Sequence, residues 1–131
     1  MIKGTGIDIV EIARIGKLLA KGELFTEKVF SKRESAYCEK QGVPVQSYAG
    51  KFAAKEAFLK AIGTGWRGEI ELHQIEITND ELGKPQLQIT GDSKNTLAHF
   101  ANMIVHVSVS HTNIYAVAQV IIESLESQES V

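Results

Sequence analysis

The sequence predicts an α+β fold in which a mostly antiparallel sheet packs on one long central helix. Segment 51–60 consists of strong helix formers and contains neither Pro nor Gly. The second half of the chain carries two pairs of strand-like segments, each pair joined by a short turn. Because strand pairs and helical segments are separated along the chain and do not alternate, an antiparallel sheet covered by helices is favoured over a parallel one.

Composition limits the class of protein. At 131 residues the chain is long enough for one domain, expected over 1–122, with a polar tail over 123–131 that frays. The net charge of −2 gives no reason to expect a nucleic-acid partner. The single cysteine, Cys38, excludes an internal disulfide and is expected to be a packing residue. No apolar run could cross a membrane and no signal peptide is recognisable, so a cytoplasmic location is expected.

The first half is predicted to hold one strand and three helices. Residues 2–10 form the strand, and an amphipathic helix follows over 11–21. The spacing of Ser31 and Glu34 is that of a capping box, which begins the second helix. The central helix is expected over 48–62.

In the second half, short strands and one short helix are joined by turns. The first predicted segments are a strand over 69–78 with a bulge between Leu72 and Ile75, a turn over 79–85 and a returning strand over 86–90. A short helix then runs from Asp92 or Ser93 to Met103, and strands over 105–110 and 115–122 are joined by a turn at 111–114. The strand over 105–110 has a polar face, whereas 115–122 is almost wholly apolar and is expected to be buried.

Two acidic residues stand in apolar surroundings, where a carboxylate is costly without a partner. The first, Asp8, interrupts the apolar run from Ile7 to Val10, although Asp is a poor strand former. Gly4 and Gly6 point the same way as Asp8 and allow a close approach to this face. A role for Asp8 as the cap of the next helix is an equally supported alternative.

Glu56 is the second of these acids, and it lies on the apolar side of the central helix with Lys60 as its expected partner one turn further on. Asp8 and Glu56 could share one hard cation, and two carboxylates favour Mg²⁺ or Mn²⁺ over zinc. Such a cation completes its shell with waters and substrate phosphates. The residues that could meet phosphate oxygens are Lys51, Lys55, Lys60 and Lys84, with His111 as a candidate for a phosphate or a proton. The residues alone therefore predict a metal-assisted reaction on a phosphorylated substrate.

A basic face on the first helix is formed by Arg14, Lys17 and Lys21. Leu18 lies among these residues, and Phe25 is expected in the following loop. A basic face that includes apolar residues suits an acidic helical partner. An ordinary solvated helix face fits the same pattern.

Five segments carry a resemblance to a known family. Gly6–Arg14, Phe30–Glu34 and Gly50–Lys60 resemble the three signature blocks of the 4′-phosphopantetheinyl transferases, and Asn79–Pro85 and Ser108–Thr112 are similar to blocks of the short bacterial type of that family. The resemblance extends from Ile2 to about Ile122, and it implies the fold of that family over nearly the whole chain.

The resemblance implies a reaction. Members of the family transfer the 4′-phosphopantetheine arm of coenzyme A to a serine of apo-acyl carrier protein, which releases adenosine 3′,5′-bisphosphate and supports fatty acid biosynthesis. Asp8 and Glu56 match the acids that hold Mg²⁺ against the pyrophosphate. Lys60 matches a lysine near the phosphates, where it could stabilise the leaving group. Either Glu56 or a metal-bound water could take the serine proton.

The resemblance also implies binding surfaces. The residues in blocks that line the coenzyme A cleft are Lys51, Lys60, Gly63, Gly65, Lys84, Pro85 and His111. Lys51 stands where the third block often has Arg, and Lys lacks the planar fork for bidentate phosphate contact. The residues that match the docking surface for the carrier protein are Arg14, Lys17, Leu18, Lys21 and Phe25. Short members of the family are similar in forming homotrimers, with each cleft between neighbouring subunits.

Two other functions would use the same residues. A Mg²⁺-dependent phosphohydrolase would need an ordered attacking water and no docking face for a carrier protein. A trimeric coenzyme A-binding module without turnover would have purely structural acids, so replacing Asp8 or Glu56 by Ala would change stability alone. The basic face around Arg14 argues against the phosphohydrolase.

Overall fold

The computed structural model describes residues 1–63 and 70–125, and every element named below lies in that part of the chain. The elements are, in chain order, β1 (Ile2–Glu11), α1 (Ile12–Ala20), α2 (Glu23–Val29), α3 (Lys32–Glu39), α4 (Pro44–Ile62), β2 (Ile75–Asn79), β3 (Pro85–Ile89), α5 (Gly91–Thr96), β4 (Met103–His111) and β5 (Tyr115–Ser124). Single turns of 3₁₀ helix at Leu72–Gln74 and Ala98–Phe100 precede β2 and follow α5.

Both sheets are antiparallel, which confirms the predicted fold class. β1, β5 and β4 form a three-stranded sheet with β5 in the centre, and β2 pairs with β3 in a separate two-stranded sheet. β5 ends at Ser124, so the prediction that this strand ends at Ile122 is wrong by two residues, and Glu123 pairs with Ile104 of β4. Residues 126–131, the rest of the predicted tail, lie outside the described residues.

α4 packs on one face of the three-stranded sheet through small side chains. Ala116 and Ala118 on β5 and Ala57 on α4 are at most 1% exposed, so the helix backbone lies close to the sheet. β5 was predicted to be buried, and this is correct only for its face that packs on α4. On the opposite face Tyr115 and Gln119 are exposed, because β5 residues alternate between the two faces.

Local signals fix where the helices begin and end. Ser31 Oγ accepts the Glu34 N–H and Glu34 Oε1 accepts the Ser31 N–H, so the predicted capping box is confirmed. α4 begins at Pro44, earlier than the predicted Tyr48, because the N–H that Pro lacks would have no helical partner there. Gly63 follows the last residue of α4 with a φ of 100°, a conformation that favours glycine.

Several local predictions are wrong. Phe25 lies in α2, a helix of 7 residues, and not in a loop. The change of apolar phase across 72–75 reflects the 3₁₀ turn before β2 and not a bulge. α5 starts after Thr90 and ends at Thr96, not at the predicted Met103, which begins β4. Ser93 does not cap this helix, because its buried hydroxyl donates to Gln74 Oε1 at 2.7 Å.

Cys38 is completely buried, and burial raises the pKa of its thiol. A raised pKa disfavours the thiolate that a nucleophile requires, which confirms Cys38 as a packing residue. Within the described residues, no helix combines the length and the apolar character needed to span a bilayer.

Candidate active site

β1 lies directly on α4 because Gly4 and Gly6 have no side chains. A Cβ atom at Gly6 would collide with the carbonyl oxygen of Ala57, and one at Gly4 with that of Ala61. The close approach predicted for this face of β1 is therefore confirmed, and α4 is the approaching element. Asp8 is the next residue on the same face, so it comes to the edge of the helix.

Asp8 forms an ion pair with Lys60. Lys60 Nζ is 2.9 Å from Asp8 Oδ1 and donates a second hydrogen bond to the Ile7 carbonyl oxygen at 3.0 Å. The side chains of Asp8 and Lys60 are 16% and 50% exposed, so ligands can reach the pair from solvent. The N-cap of α1 is Glu11, so the alternative in which Asp8 caps that helix is wrong.

Glu56 is half-buried on α4, one turn before Lys60. Glu56 and Lys60 immediately precede Ala57 and Ala61, the residues on which β1 is seated. The two predicted acids therefore lie on elements in direct contact, and the Lys60 ammonium between these elements pairs with Asp8. This pairing was not predicted, since the sequence indicated Glu56 as the partner of Lys60.

A pocket of about 420 Å³ opens beside the ion pair and is lined by Thr5, Gly6, Ile7, Lys60 and Gln119. It exposes backbone of β1 next to the Lys60 ammonium. In the described part of the chain, no group of three or more His, Cys, Asp or Glu side chains is arranged to hold a metal ion. Asp8 and Glu56 are the carboxylates that could meet a hard cation here, and the pocket beside the Asp8–Lys60 pair has room for further oxygen ligands.

A second cavity, of about 540 Å³, brings together Lys51, Pro85 and His111, three of the residues that the family resemblance assigned to coenzyme A. We call it the β2 cavity because Ile77 and Asn79 of that strand form one wall. Its lining comes from α3, α4, β2, β3 and β4, from the segment over 41–43 and from the turn before Pro85.

Lys51 is only 5% exposed, and its ammonium is held by β2. Lys51 Nζ donates to the Ile77 carbonyl oxygen at 2.6 Å and to Asn79 Oδ1 at 2.7 Å, and it lies 4.6 Å from the centre of the Tyr37 ring. Burial lowers the pKa of Lys51. Asn79 and Tyr37 were not predicted as site residues, and the one signal for Asn79 is that it opens a segment with family resemblance.

Lys84 does not line the β2 cavity, although it was assigned to the cleft. Its neighbours Gly83 and Pro85 do, whereas Lys84 is exposed and its N–H donates to Asp80 Oδ1 at 2.9 Å. The turn thus contributes backbone to the cavity, and the Lys84 ammonium projects from an exposed residue next to it.

His111 ends β4 and is exposed, with Nδ1 3.2 Å from the Thr112 carbonyl oxygen. Gly63 is also exposed and donates its N–H to the Leu59 carbonyl oxygen, so its structural role is to end α4. Gly65, the other loop glycine assigned to coenzyme A, lies outside the described residues.

The predicted coenzyme A residues divide into two groups on opposite sides of α4. Lys51 and Lys60 are nine residues apart on the same helix, which separates them by about 14 Å along its axis and by about 180° around it. Lys51 belongs to the β2 cavity and Lys60 to the site at Asp8. Within one chain the two groups face different directions.

The basic face predicted on α1 is present. Arg14, Lys17 and Lys21 are exposed, while Ile12 and Ile15 on the other side of the helix are buried. The basic residues are therefore free of core contacts and available to an external partner.

The two apolar residues assigned to that face are less exposed than expected. Leu18 and Phe25 are half-buried and pack against the core, and the Phe25 ring centre is 6.1 Å from that of Phe52. Leu24, the residue before Phe25 on α2, is 67% exposed. The sequence did not indicate Leu24, because α2 was not predicted and its outward residues were unknown.

The Lys60 ammonium at a solvent-accessible edge and the Lys51 ammonium in the wall of a second cavity are positive groups of the kind that bind phosphate oxygens. The chain belongs to the 4′-phosphopantetheinyl transferase superfamily, since the model of that family matches residues 4–118.

Individual relatives agree with this assignment. The chain is 46% identical over 127 residues to the holo-[acyl-carrier-protein] synthase of Syntrophus aciditrophicus, an alignment that covers 96% of this chain and 99% of that protein. It is similar to the crystal structure of a holo-(acyl-carrier-protein) synthase from Bacillus anthracis in complex with CoA (3′,5′-ADP), with a TM-score of 0.78, 40% identity and coverage of 95% and 98% of the two chains. The holo-[acyl-carrier-protein] synthase from Neisseria meningitidis gives a TM-score of 0.84 at 37% identity, with coverage of 95% and 100%.

Proposed function

We propose that this chain transfers the 4′-phosphopantetheine group of coenzyme A to a serine of apo-acyl carrier protein, giving holo-acyl carrier protein and adenosine 3′,5′-bisphosphate. Family membership supports the reaction class. The observation that carries the proposal to particular residues is the ion pair between Asp8 and Lys60, formed where β1 is seated on α4 beside Glu56.

Mg²⁺ is the metal that these residues fit. Asp8 and Glu56 would hold it, since both offer carboxylate oxygens and Asp8 is accessible from solvent. Mg²⁺ is commonly bound by one or two carboxylates and completes its shell with water and substrate phosphates. When bound, such an ion supplies neutralisation of the charge that develops on the pyrophosphate.

The transfer is an in-line displacement at phosphorus. The serine oxygen of the carrier protein attacks the phosphorus atom that bears the pantetheine arm, and the P–O bond to the adenosine bisphosphate breaks. The serine proton passes to Glu56 or to water. The enzyme therefore contributes mainly the positioning of the two reactants and the stabilisation of negative charge.

Lys60 changes partner in this scheme. In the free protein its ammonium neutralises Asp8. With coenzyme A bound, the same flexible and half-exposed side chain donates to the oxygens of the departing phosphate, where negative charge accumulates.

Two features support an assembly in which neighbouring chains share each site. The two groups of coenzyme A residues lie on opposite sides of α4, so a ligand that contacts both would bridge two copies of the chain. Ile7 and Ile9 are 61% and 63% exposed on the face of β1 that points away from Asp8, and large exposed apolar residues mark association surfaces. We infer a homotrimer, the closed ring that the family resemblance implies.

The exposed Arg14, Lys17 and Lys21 form the docking surface for the carrier protein, which is acidic. Opposite charges across a contact accelerate encounter and exclude partners of the wrong charge. Leu24, three residues after Lys21 in the sequence and largely exposed, would add an apolar contact. This activity belongs to fatty acid biosynthesis in the cytoplasm.

Mass spectrometry of apo-acyl carrier protein, incubated with this protein, coenzyme A and Mg²⁺, tests the proposal. We expect the carrier protein to gain the mass of one phosphopantetheine arm. The gain is expected to disappear with EDTA and with Glu56→Ala, while the matched variant Glu27→Ala, at an exposed acid of α2, retains it.

Other outcomes would identify another function. Hydrolysed coenzyme A without a modified carrier protein would indicate a phosphohydrolase. Bound but intact coenzyme A, with a competent carrier protein left unmodified, would indicate a binding module without turnover.

A further inference from the structure

A buried ion pair lies behind the β2 cavity. The side chains of Lys55 and Glu34 are both 0% exposed, and Lys55 Nζ is 2.7 Å from Glu34 Oε1. Lys55 also donates to the Leu72 carbonyl oxygen at 2.8 Å. Charges without solvent contact are costly to bury, and removing one partner of such a pair leaves an uncompensated buried charge.

Both carboxylate oxygens of Glu34 accept hydrogen bonds from backbone N–H groups. Oε1 accepts the Ser31 N–H at 2.8 Å, which caps α3, and Oε2 accepts the Ile77 N–H of β2 at 2.8 Å. A side chain with a single acceptor oxygen could not reach both N–H groups from one position. Lys55, which lies on α4, pairs with the Glu34 carboxylate and so keeps it in place between these two N–H groups.

The Ile77 residue is held at both of its backbone polar groups. Glu34 accepts its N–H, and Lys51 donates to its carbonyl oxygen at 2.6 Å. Lys51 also donates to Asn79, whose side-chain amide donates to the Gly83 carbonyl oxygen at 3.0 Å. These hydrogen bonds run without interruption from Glu34 to the turn that lines the β2 cavity.

We propose that Lys55 and Glu34 are positioning residues for coenzyme A: they hold β2 so that Lys51, Asn79 and the turn before Pro85 form the binding wall of the β2 cavity. This inference rests on the proposed function. Lys55 is completely buried and is absent from the cavity lining, so it acts through Glu34 and not by touching the ligand.

The two neighbouring lysines thus have different roles. Lys51 is in the cavity wall and contributes its charge to the ligand site, while Lys55, four residues later on α4, acts on the geometry of that wall. Of these two lysines, Lys51 therefore binds the ligand and Lys55 positions the cavity wall.

Direct binding of adenosine 3′,5′-bisphosphate and of coenzyme A, measured by calorimetry, tests the inference without relying on turnover. For Glu34→Gln we expect the Kd of both ligands to rise roughly tenfold or more, because small displacements of a binding wall are costly. The KM for coenzyme A is expected to rise in parallel, with the KM for the carrier protein and kcat nearly unchanged.

The double variant Lys55→Met/Glu34→Gln separates positioning from stability. It buries no unpaired charge, so it is expected to fold. The amide that replaces the Glu34 carboxylate offers one acceptor oxygen in place of two, so it cannot hold the Ser31 and Ile77 N–H groups together, and the double variant should retain the raised Kd. Ile122→Val, in the buried core of β5, is the matched control: it lowers stability and is expected to leave both Kd values unchanged.

A folded double variant that binds the bisphosphate like the original protein would overturn the inference, as would equal weakening by Ile122→Val. If the original protein binds both ligands but modifies no carrier protein, the proposed function fails while the binding comparison still decides the role of Lys55 and Glu34.

Discussion

Lys60 combines a small contribution to stability with a large one to the proposed reaction. Its side chain is 50% exposed, and an exposed ion pair such as that with Asp8 contributes only about 0–1 kcal/mol to folding. Charge stabilisation in a transition state is worth much more. The two contributions can therefore be separated in one variant.

For Lys60→Met we expect kcat for transfer to fall by roughly 10²-fold, because one donor to the leaving phosphate is lost. The melting temperature should change little. Rate assays and thermal melts check both statements, and Lys94→Met, at an exposed lysine of α5, is the control. An unchanged kcat would remove Lys60 from the reaction, and a large drop in melting temperature would make its role structural.

Lys55 gives the stability of the protein a pH dependence. Burial lowers its pKa from 10.5 to about 8, although the nearby Glu34 carboxylate raises it. Between these two pH values the unfolded chain binds a proton that the folded chain has released. The contribution of Lys55 to the free energy of unfolding therefore increases as the pH rises from about 8 towards 10.5.

The measurement is the free energy of unfolding of the original protein and of Lys55→Met from pH 7 upward, by denaturant titration. The difference, original minus variant, is expected to grow above a pH of about 8. The same comparison with Lys94→Met should show no such growth. A difference that stays flat or shrinks through this window would contradict the lowered pKa.

Sequence reasoning identifies candidate site residues where a side chain does not suit its immediate surroundings. Asp8 in an apolar strand and Glu56 on an apolar helix side are anomalies within a few residues of their own position. Lys55 looks ordinary in a helix, and its partner Glu34 lies 21 residues away, so its burial could not be predicted. The same is true of Asn79, whose contact with Lys51 exists only once β2 has packed against α4.

At the scale of elements, the contact between β1 and α4 builds the site. The two elements are closest at Gly6. A Cβ there would collide with the Ala57 carbonyl oxygen and would lie 2.9 Å from the Ala61 backbone nitrogen. Gly6→Ala is expected to push β1 away from α4, to lower the free energy of unfolding by about 1–3 kcal/mol, and to separate Asp8 from Lys60.

Denaturant unfolding and the transfer assay check this expectation together. Gly16→Ala is the matched control, because a Cβ at Gly16 would make only an ordinary contact, 3.6 Å from Val45 Cγ2. If Gly6→Ala is as stable and as active as Gly16→Ala, the close packing of β1 on α4 is not required for the site.

Elements whose ends are marked by capping or turn residues in the local sequence were predicted well. The capping box at Ser31 and the two strand pairs depend on residues adjacent in sequence, and all are present. α2 has no side-chain cap, and its 7 residues are too few to show a period, so it was missed. The 3₁₀ turn at 72–74 was mistaken for a bulge because both change the apolar phase of a strand.

At the scale of the whole molecule, the three-stranded sheet has two different faces. The inner face packs on α4, and the outer face exposes Ile7, Ile9 and Tyr115. Because side chains alternate along a strand, the sequence can in principle predict which face is exposed. The sequence of β5 is apolar at nearly every position, so it did not show which of its two faces is exposed. An outer face of this kind is suited to contact between copies of the chain.

The proposed sharing of sites between copies predicts that two inactive variants can restore each other. Asp8→Ala removes a proposed metal ligand from one group of residues, and His111→Glu places a carboxylate where the proposed site holds the phosphates in the other. In co-expressed mixed trimers, some sites combine the intact Asp8 of one subunit with the intact His111 of its neighbour. Random assembly of equal amounts should restore roughly a quarter of the original activity.

Asp8→Ala mixed with Glu56→Ala is the control, because these two residues belong to the same group and no site could contain both intact. Differently tagged subunits, purified in sequence over both tags, establish that mixed assemblies have formed. Absence of activity in a mixed assembly of Asp8→Ala with His111→Glu would mean that each site is built within one chain. The opposite orientation of Lys51 and Lys60 on α4 would then have to be reconciled with a ligand that contacts only one of the two groups.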